Sequence, residues 1–387
     1  MLKGRNRLVV IFVVILLQVC IIIYANAEEA YKIGCMIPLS EHPSRQYGVW
    51  AQQGIDLAVD EINAQGGIKG TKLIVDYQDD LGSAGEAVKV MSNFVNVNKY
   101  PVVLAYISAV SAAIAPIARD TKTVLITNTY TPGITENNEY VFRVGHNAGT
   151  ESRAMAEFCA KNLGKGSMAI VYVQTPAGAK ASEILESKYT DLGGKVVGKI
   201  GYNAEEKDFR PILLKVKSWN PKIIYVYPYK EVGVIFREAR KIKIDAILTG
   251  NNTVEQPNVL TDAGDASEGV IFTSPMFNPD SSDPNMVKYQ ESFKKHYGKP
   301  SEVSSATFYD TVKILAIAIQ KGGYTADGIR KALLQIKDYK GITGVITFRE
   351  DRDVDKPVIV KVIQNGKYVP WSSSEKNKTD VKQATKP

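Results

Sequence analysis

The sequence predicts an α/β protein made of two doubly wound, mostly parallel-sheet lobes joined by a hinge. Short β-like runs alternate with helical patterns along most of the 387 residues, and the alternation falls into two series that divide near Thr150. The length suits two domains, and a composition of 44% hydrophobic and 23% charged residues is that of an ordinary globular chain.

The first element lies outside this pattern. Lys3, Arg5 and Arg7 precede an apolar run from Leu8 to Tyr24 that only Gln18 interrupts, and Ala25-Asn26-Ala27 presents small residues just before Glu28-Glu29. A basic start, an apolar stretch and an A-x-A site predict a secretory signal over residues 1–27, cleaved after Ala27. An uncleaved anchor is the competing reading, because the run approaches the ~20 residues that span a bilayer. Val19 is bulky where a lipobox wants a small residue, which argues against lipid anchoring at Cys20. A periplasmic location is expected.

Tyr31 to Ile37 then reads as a strand and Gly48 to Ala64 as a helix, with Ile55, Ala58, Val59 and Ile62 on one face. Gln65-Gly66-Gly67-Ile68-Lys69-Gly70 ends that helix with glycines suited to left-handed turns. Strand Leu73 to Tyr77, helix Ala84 to Val97, strand Val102 to Tyr106, helix Ala112 to Arg119 and strand Val124 to Asn128 complete the first series. The second runs through helix Thr150 to Asn162, strand Ser167 to Val173, helix Gly178 to Leu192, strand Lys195 to Gly201, helix Asp208 to Trp219, strand Lys222 to Tyr227, helix Val232 to Ile242 and strand Ala246 to Leu248. Val270 to Phe277 closes it. Helices from Asn285 and Glu302, with strand-like Gly344 to Phe348, have no third sheet to build and are expected to return to the first lobe. The organisation predicted is therefore residues 28–147 plus 277–350 for the first lobe and 148–276 plus 351–371 for the second. Residues 372–387 are polar, charged and without apolar periodicity, as a disordered tail would be.

Parallel sheets receive ligands beyond the carboxyl ends of their strands. Two such sheets facing one another make a cleft lined by the loops Pro38 to Trp50, Tyr106 to Ser111, Asn128 to Ile134, Gln174 to Gly178, Pro228 to Glu231 and Thr249 to Glu255. Those loops are rich in hydroxyls and aromatics. Tyr106-Ile107-Ser108-Ala109 leads into a helix whose free N–H groups, with Ser108, suit an anion such as a carboxylate; the plainer alternative makes Ser108 or Ser111 an N-cap. Asn128-Thr129-Tyr130-Thr131-Pro132-Gly133 offers two hydroxyls and a ring, or simply a turn. Strand periodicity puts Tyr225, Tyr227 and Tyr229 on one side, the first in the core and the last nearest the cleft. Tyr47 and Trp50 stand near the cleft mouth. Aromatic walls with a few polar anchors are how small-molecule pockets are built.

Catalytic patterns are missing from the sequence: there is no G-x-S-x-G elbow, P-loop, G-x-G-x-x-G or C-x-x-C. His42, His146 and His296 are scattered and read as surface or capping residues. Asp351, Asp353 and Asp355 alternate like an EF-hand, but Lys356 and Val362 stand where glycine and a bidentate acid are needed, so a solvated charged turn is the better account. Asp79 and Asp80 point to opposite sides of their strand. No cofactor and no metal is expected. The formal charge of +7 falls to +4 without the three leader cations, too mild and too scattered for a nucleic-acid partner. Beyond the leader, Cys35 and Cys159 fall in a strand and a distant helix, which favours two buried thiols, although chain order alone leaves a bridge open.

The run Pro38-Leu39-Ser40, Gln46-Tyr47-Gly48 and Gly54 to Gly70 resembles the type I periplasmic binding proteins of the leucine/isoleucine/valine-binding kind. Asp79-Asp80, Ala115-Pro116-Ile117-Ala118, Lys207-Asp208-Phe209, Arg237-Glu238-Ala239-Arg240 and Ala263 to Gly269 extend the similarity in order along the chain. The resemblance implies a monomeric substrate-binding component of an ABC importer that closes on its ligand and docks onto a membrane permease. It matches Ser108 and Thr131 to hydroxyls that hold a ligand carboxylate, Thr129 to a carbonyl facing the ammonium, Tyr47 to a pocket tyrosine and Tyr229 to a tyrosine of the second lobe. Asn252 stands where the family has the acid that neutralises an α-ammonium, with Glu255 three residues on; Ala177 and Ala148 replace a pocket tyrosine and an acid at the lobe crossing. A branched-chain or other amino acid and an amine-free aromatic or aliphatic carboxylate are thus both open as ligands. A ligand-sensing receptor would use the same fold.

Overall fold

The computed structural model describes residues 30–40, 44–228, 231–256, 258–354 and 356–372. The expected leader with Cys20, as well as His42, Tyr229, Asp355 and residues 373–387 of the expected tail, lie outside the described residues.

The first series forms β1 (Tyr31–Ile37), α1 (Arg45–Ala64), β2 (Leu73–Asp79), α2 (Ala84–Asn96), β3 (Val102–Ala105), α3 (Ser108–Asp120), β4 (Val124–Thr127) and a short β5 (Val141–Arg143). The five strands pair in the order β2-β1-β3-β4-β5, all parallel. Period-two alternation divides their side chains between two cores. Ile33, Cys35, Ile37, Val102, Leu104, Val124 and Ile126 face α1 and helices from late in the chain, whereas Met36, Val103, Ala105 and Leu125 face α2 and α3. A parallel sheet covered on both faces needs near-continuous apolar strands, and β3 and β4 are buried at every position.

The second series forms α4 (Ala148–Asn162), β6 (Ser167–Val173), α5 (Pro176–Asp191), β7 (Lys195–Tyr202), α6 (Arg210–Ser218), β8 (Ile223–Tyr227), α7 (Val232–Lys241), β9 (Ile247–Gly250), α8 (Val259–Ala263) and β10 (Ile271–Pro275). The chain then returns through α9 (Pro284–Tyr297), α10 (Val303–Gly322), α11 (Ala326–Leu334) and the hairpin β11 (Tyr339–Gly341) and β12 (Gly344–Ile346). Met286, Phe308, Leu315, Ile329 and Ile346 bury in the first core, where the return was expected. A last hairpin, β13 (Val358–Gln364) and β14 (Lys367–Pro370), adds antiparallel strands to the second sheet, whose order is β14-β13-β10-β9-β8-β6-β7. Val354 still packs in the first core, so the final return to the second sheet comes after it.

Close approach of α1 and α10 explains one residue of the N-terminal run. A Cβ on Gly54 would stand 2.0 Å from the Ser305 carbonyl oxygen, and the Ser305 hydroxyl donates to the Trp50 carbonyl at 2.8 Å. Both cysteines are buried and unbridged.

The lobes meet where three strands of chain cross: after β5, after β10 and before β13. Arg143 at the end of β5 is 1% exposed, and its guanidinium forks onto Asp353, Nε to Oδ1 at 2.9 Å and Nη2 to Oδ2. Asp353 is therefore no solvated turn residue: an arginine buried in a strand requires a buried counter-charge, and Asp353, 4% exposed, supplies it. His146 is likewise neither a surface nor a capping residue. It is buried in the first crossing with Nε2 3.1 Å from the Pro357 carbonyl, and burial together with the nearby Lys356 charge holds it down to about 3. His296, on α9, contacts the Ser292 carbonyl through Nδ1 at 2.8 Å.

Removing one partner of a buried pair leaves the other charge uncompensated, which costs about 3–5 kcal/mol. Asp353→Ala is expected to lower the unfolding free energy by about that amount in a urea titration.

Candidate functional site

The carboxyl ends of β1, β3 and β4 lie together at the point where the strand order reverses, between β1 and β3. Asp79 fixes the first of the loops there: its carboxylate accepts from the Leu39 and Ser40 N–H groups at 2.9 and 2.7 Å and from Leu81 N–H at 2.9 Å. Behind that loop runs an aromatic row. The Tyr47 ring meets Trp50 edge-on at 5.5 Å and Tyr106 at 6.1 Å; Tyr106 in turn meets Phe308 at 5.1 Å, and its hydroxyl bonds the Ser304 hydroxyl at 2.8 Å. Tyr47 is 41% exposed and forms the open end of the row.

Next to this row the hydroxyls converge. α3 begins at Ser108 itself, four residues earlier than its apolar periodicity indicates, and carries no side-chain cap. Neither serine is an N-cap. Ser111 is buried and its hydroxyl pairs with Thr127 at 2.6 Å, while Ser108 Oγ accepts from the Thr129 hydroxyl at 2.7 Å. The Thr129 hydroxyl also receives the Thr131 N–H at 3.3 Å, and the Thr131 carbonyl accepts from Arg143 Nη1. The end of α3 thus joins hydroxyl groups to the helix's first, uncapped N–H groups, a combination that favours negative charge.

Tyr130 leaves this cluster toward the second lobe. Its ring packs against the second core, and its hydroxyl donates to Asn252 Oδ1 at 3.2 Å. Asn252 opens the short 3-10 turn Asn252–Glu255 that follows β9. Ser108, Thr129 and Thr131 are linked by hydrogen bonds, Tyr130 in the same loop reaches Asn252 across the lobe junction, and Tyr47 with Tyr106 forms the neighbouring aromatic row. Tyr225 and Tyr227 are buried, as the first of their series should be, and Tyr229 lies outside the described residues.

Glu255 is already engaged: it bonds Lys361 Nζ at 2.6 Å and receives the Ser274 hydroxyl. The acid that sequence reasoning missed is Glu151, on the first turn of α4 and 0% exposed. Its Oε2 accepts from the Asn252 N–H at 3.0 Å and the Thr273 hydroxyl at 3.1 Å, whereas Oε1 has no hydrogen-bond partner among the described residues. Burial pushes Glu151 up to about 7; the polar groups of Tyr130, Asn252 and Thr273 oppose that rise and the Glu255 charge adds to it. A signal for it exists in the sequence. α4 buries Ala148, Glu151, Ser152, Met155, Ala156 and Cys159, so the acid occupies the apolar stripe of an amphipathic helix.

Among the described residues no group of histidines, cysteines and acids could hold a metal ion. The sequence matches the periplasmic binding protein family over residues 30–367. The chain belongs to that family. A leucine-, isoleucine-, valine-, threonine- and alanine-binding protein of Pseudomonas aeruginosa is 27% identical over 357 residues, 92% of this chain and 95% of the relative. Among solved structures, the leucine-binding protein LivK of Thermotoga maritima has a TM-score of 0.76 at 26% identity, covering 89% of this chain and 98% of that one. A solute-binding protein from Rhodopseudomonas palustris, solved with benzoate, shares the fold at a TM-score of 0.72 and 19% identity, covering 89% and 96%. The leucine/isoleucine/valine-binding resemblance and the two-lobed α/β fold are both borne out. Periplasmic binding proteins are extracytoplasmic solute binders, and no helix among the described residues is long and apolar enough to cross a membrane.

Glu151 imposes a pH dependence on stability. Its folded-state pKa lies above its ordinary 4.5, so the stability it contributes is full below that value and lost as pH rises through about 7. The loss amounts to about 3 kcal/mol. Denaturant titrations from pH 5 to 8 should show the wild type losing most of that amount relative to Glu151→Gln as pH rises to about 7; His146, held low, makes stability rise with pH up to its ordinary 6.5 in both proteins and cancels in the difference.

Proposed function

We propose that this chain is the substrate-binding component of an ABC importer, delivered outside the cytoplasm by its leader, and that it captures a small carboxylate-bearing ligand between its lobes. The observation that carries this is the pair Ser108 and Thr129, hydroxyls 2.7 Å apart at the uncapped start of α3. A carboxylate placed there meets hydroxyl donors and backbone N–H groups without displacing a side-chain cap. Tyr47, Trp50 and Tyr106 supply the apolar wall, and Tyr130 with Asn252 joins the lobes behind the ligand. Amino acids are the first ligand class to consider, since the 27%-identical relative binds leucine, isoleucine, valine, threonine and alanine. In this scheme the loaded protein acts as a monomer and presents its ligand to a membrane permease.

A second reading, an amine-free aromatic or aliphatic carboxylate, draws on Asn252, an uncharged amide at the position where the resemblance calls for an acid.

Hydrogen bonds to a charged ligand group are worth about 1.5–3 kcal/mol each. Calorimetry with whichever acid or amino acid stabilises the wild type in a thermal-shift screen should show Ser108→Ala and Thr131→Ala binding about 10-fold to 150-fold more weakly. Unchanged affinity in both variants would reject the carboxylate anchor.

A further inference from the structure

We propose that Glu151 is the group of the second lobe that recognises a positively charged nitrogen on the ligand. The inference rests on the proposed capture of a carboxylate between the lobes and names the other end of that ligand.

Three other acids of this protein are compensated among the described residues. Asp353 is held by the Arg143 fork, Glu255 by Lys361, and Asp310 by the Ile342 and Thr343 N–H groups with Lys356 nearby. Glu151 has no cation partner among the described residues, and one of its two oxygens accepts nothing. A fully buried carboxyl with an empty acceptor is costly, and sites that retain one generally use it.

Its position identifies the use. Asn252 accepts the Tyr130 hydroxyl across the junction and donates its own N–H to Glu151, and Tyr130 is close enough to bear on the Glu151 charge. Tyr130 directly follows Thr129, whose hydroxyl touches Ser108. A donor-rich cluster that suits an anion and an unpaired carboxyl that suits a cation are therefore connected through Tyr130 and Asn252. A ligand with a carboxylate and an ammonium satisfies both; a simple carboxylate satisfies only the first. The other titratable groups that bear on Glu151 add no positive charge. Tyr130 comes from the loop after β4, Tyr225 and Tyr227 from β8, and Glu255 from the turn after β9, its own charge already met by Lys361 of β13.

Recognition would carry a proton balance. Near neutral pH Glu151 is partly protonated, being pushed up to about 7 by burial. An arriving ammonium favours the carboxylate, so the carboxyl O–H bond breaks, the proton goes to solvent, and a carboxylate–ammonium pair remains. Affinity for a zwitterion should thus rise from pH 5.5 to 8, while an amine-free acid gains nothing over that range.

The test uses the purified protein with two matched panels, aliphatic and aromatic L-amino acids and the corresponding acids lacking the amine. Calorimetry at pH 7 in buffers of different ionisation enthalpy reads the proton count. The expected result is an amino acid that binds at least tenfold more tightly than its amine-free partner, with net proton release. Glu151→Gln should abolish the release and remove the tenfold preference, and its far-UV circular dichroism reports whether it is folded. The pH profile of wild-type affinity tests the same linkage without any variant. An amine-free acid that binds as tightly as its amino acid, loses affinity in Ser108→Ala and keeps it in Glu151→Gln overturns the inference and leaves carboxylate capture standing. A preferred amino acid bound without proton release, or with the release unchanged in Glu151→Gln, also overturns it. Failure of both panels to bind overturns carboxylate capture and this inference together.

Discussion

The buried fork between Arg143 and Asp353 is the constraint on which the rest of the arrangement depends. Arg143 ends β5, the last strand of the first sheet, and Asp353 precedes the last crossing, so a single ion pair joins the first and third passages between the lobes. The same guanidinium reaches the Thr131 carbonyl, and Asn147, the N-cap of α4, donates to Asp353 Oδ2 at 3.3 Å. The loop bearing Thr129, Tyr130 and Thr131 and the helix bearing Glu151 are thus both tied to one buried charge pair. Its geometry sets where the two halves of the candidate site stand relative to one another.

Within that frame the site is put together from strand ends and helix starts. The strand-order reversal between β1 and β3 leaves an opening at the sheet's carboxyl edge, and α3 points its amino terminus there. Ser111 and Thr127, both buried and bonded to each other, bind the helix start to the strand end beside the Ser108 and Thr129 hydroxyls. Ser108 and Thr129 consequently stand on two elements already fixed to each other. A hydroxyl pair positioned in this way needs little ordering when a ligand arrives.

Much of this was legible in the sequence because the sheets are parallel and covered on both faces. Such strands must be apolar throughout and their helices amphipathic, which is why Ser167–Val173 and Tyr31–Ile37 could be read to the residue. The strand-end loops followed from topology alone. Three features were not legible, each for a physical reason. Ser108 lies inside α3 because the first turn of a helix needs no apolar face, so periodicity starts late. Asp353 looks like one of a run of exposed acids, and only the tertiary partner Arg143, 210 positions away, reveals that it is buried. The hairpin β13–β14 joins the second sheet through antiparallel pairing that an alternating α/β pattern does not announce.

Glu151 was readable in principle, from its place in the helix alone. A charged residue in the apolar register of a helix conflicts with the local pattern, and such conflicts concentrate where a protein does something other than pack. The structure separates this acid from its peers by what surrounds it. Asp353 faces a guanidinium, Glu255 an ammonium, and Asp310 two backbone N–H groups, all within 2.6–2.9 Å at their resolved contacts. Each of these three already has a donor on both of its oxygens. Glu151 takes one N–H and one hydroxyl on one oxygen and leaves the other unmatched, at the only point where Tyr130 of the first lobe reaches Asn252 of the second among the described contacts. A burial cost left uncompensated in the resting protein is one that a bound cation would relieve, which makes this carboxyl a source of selectivity rather than of stability.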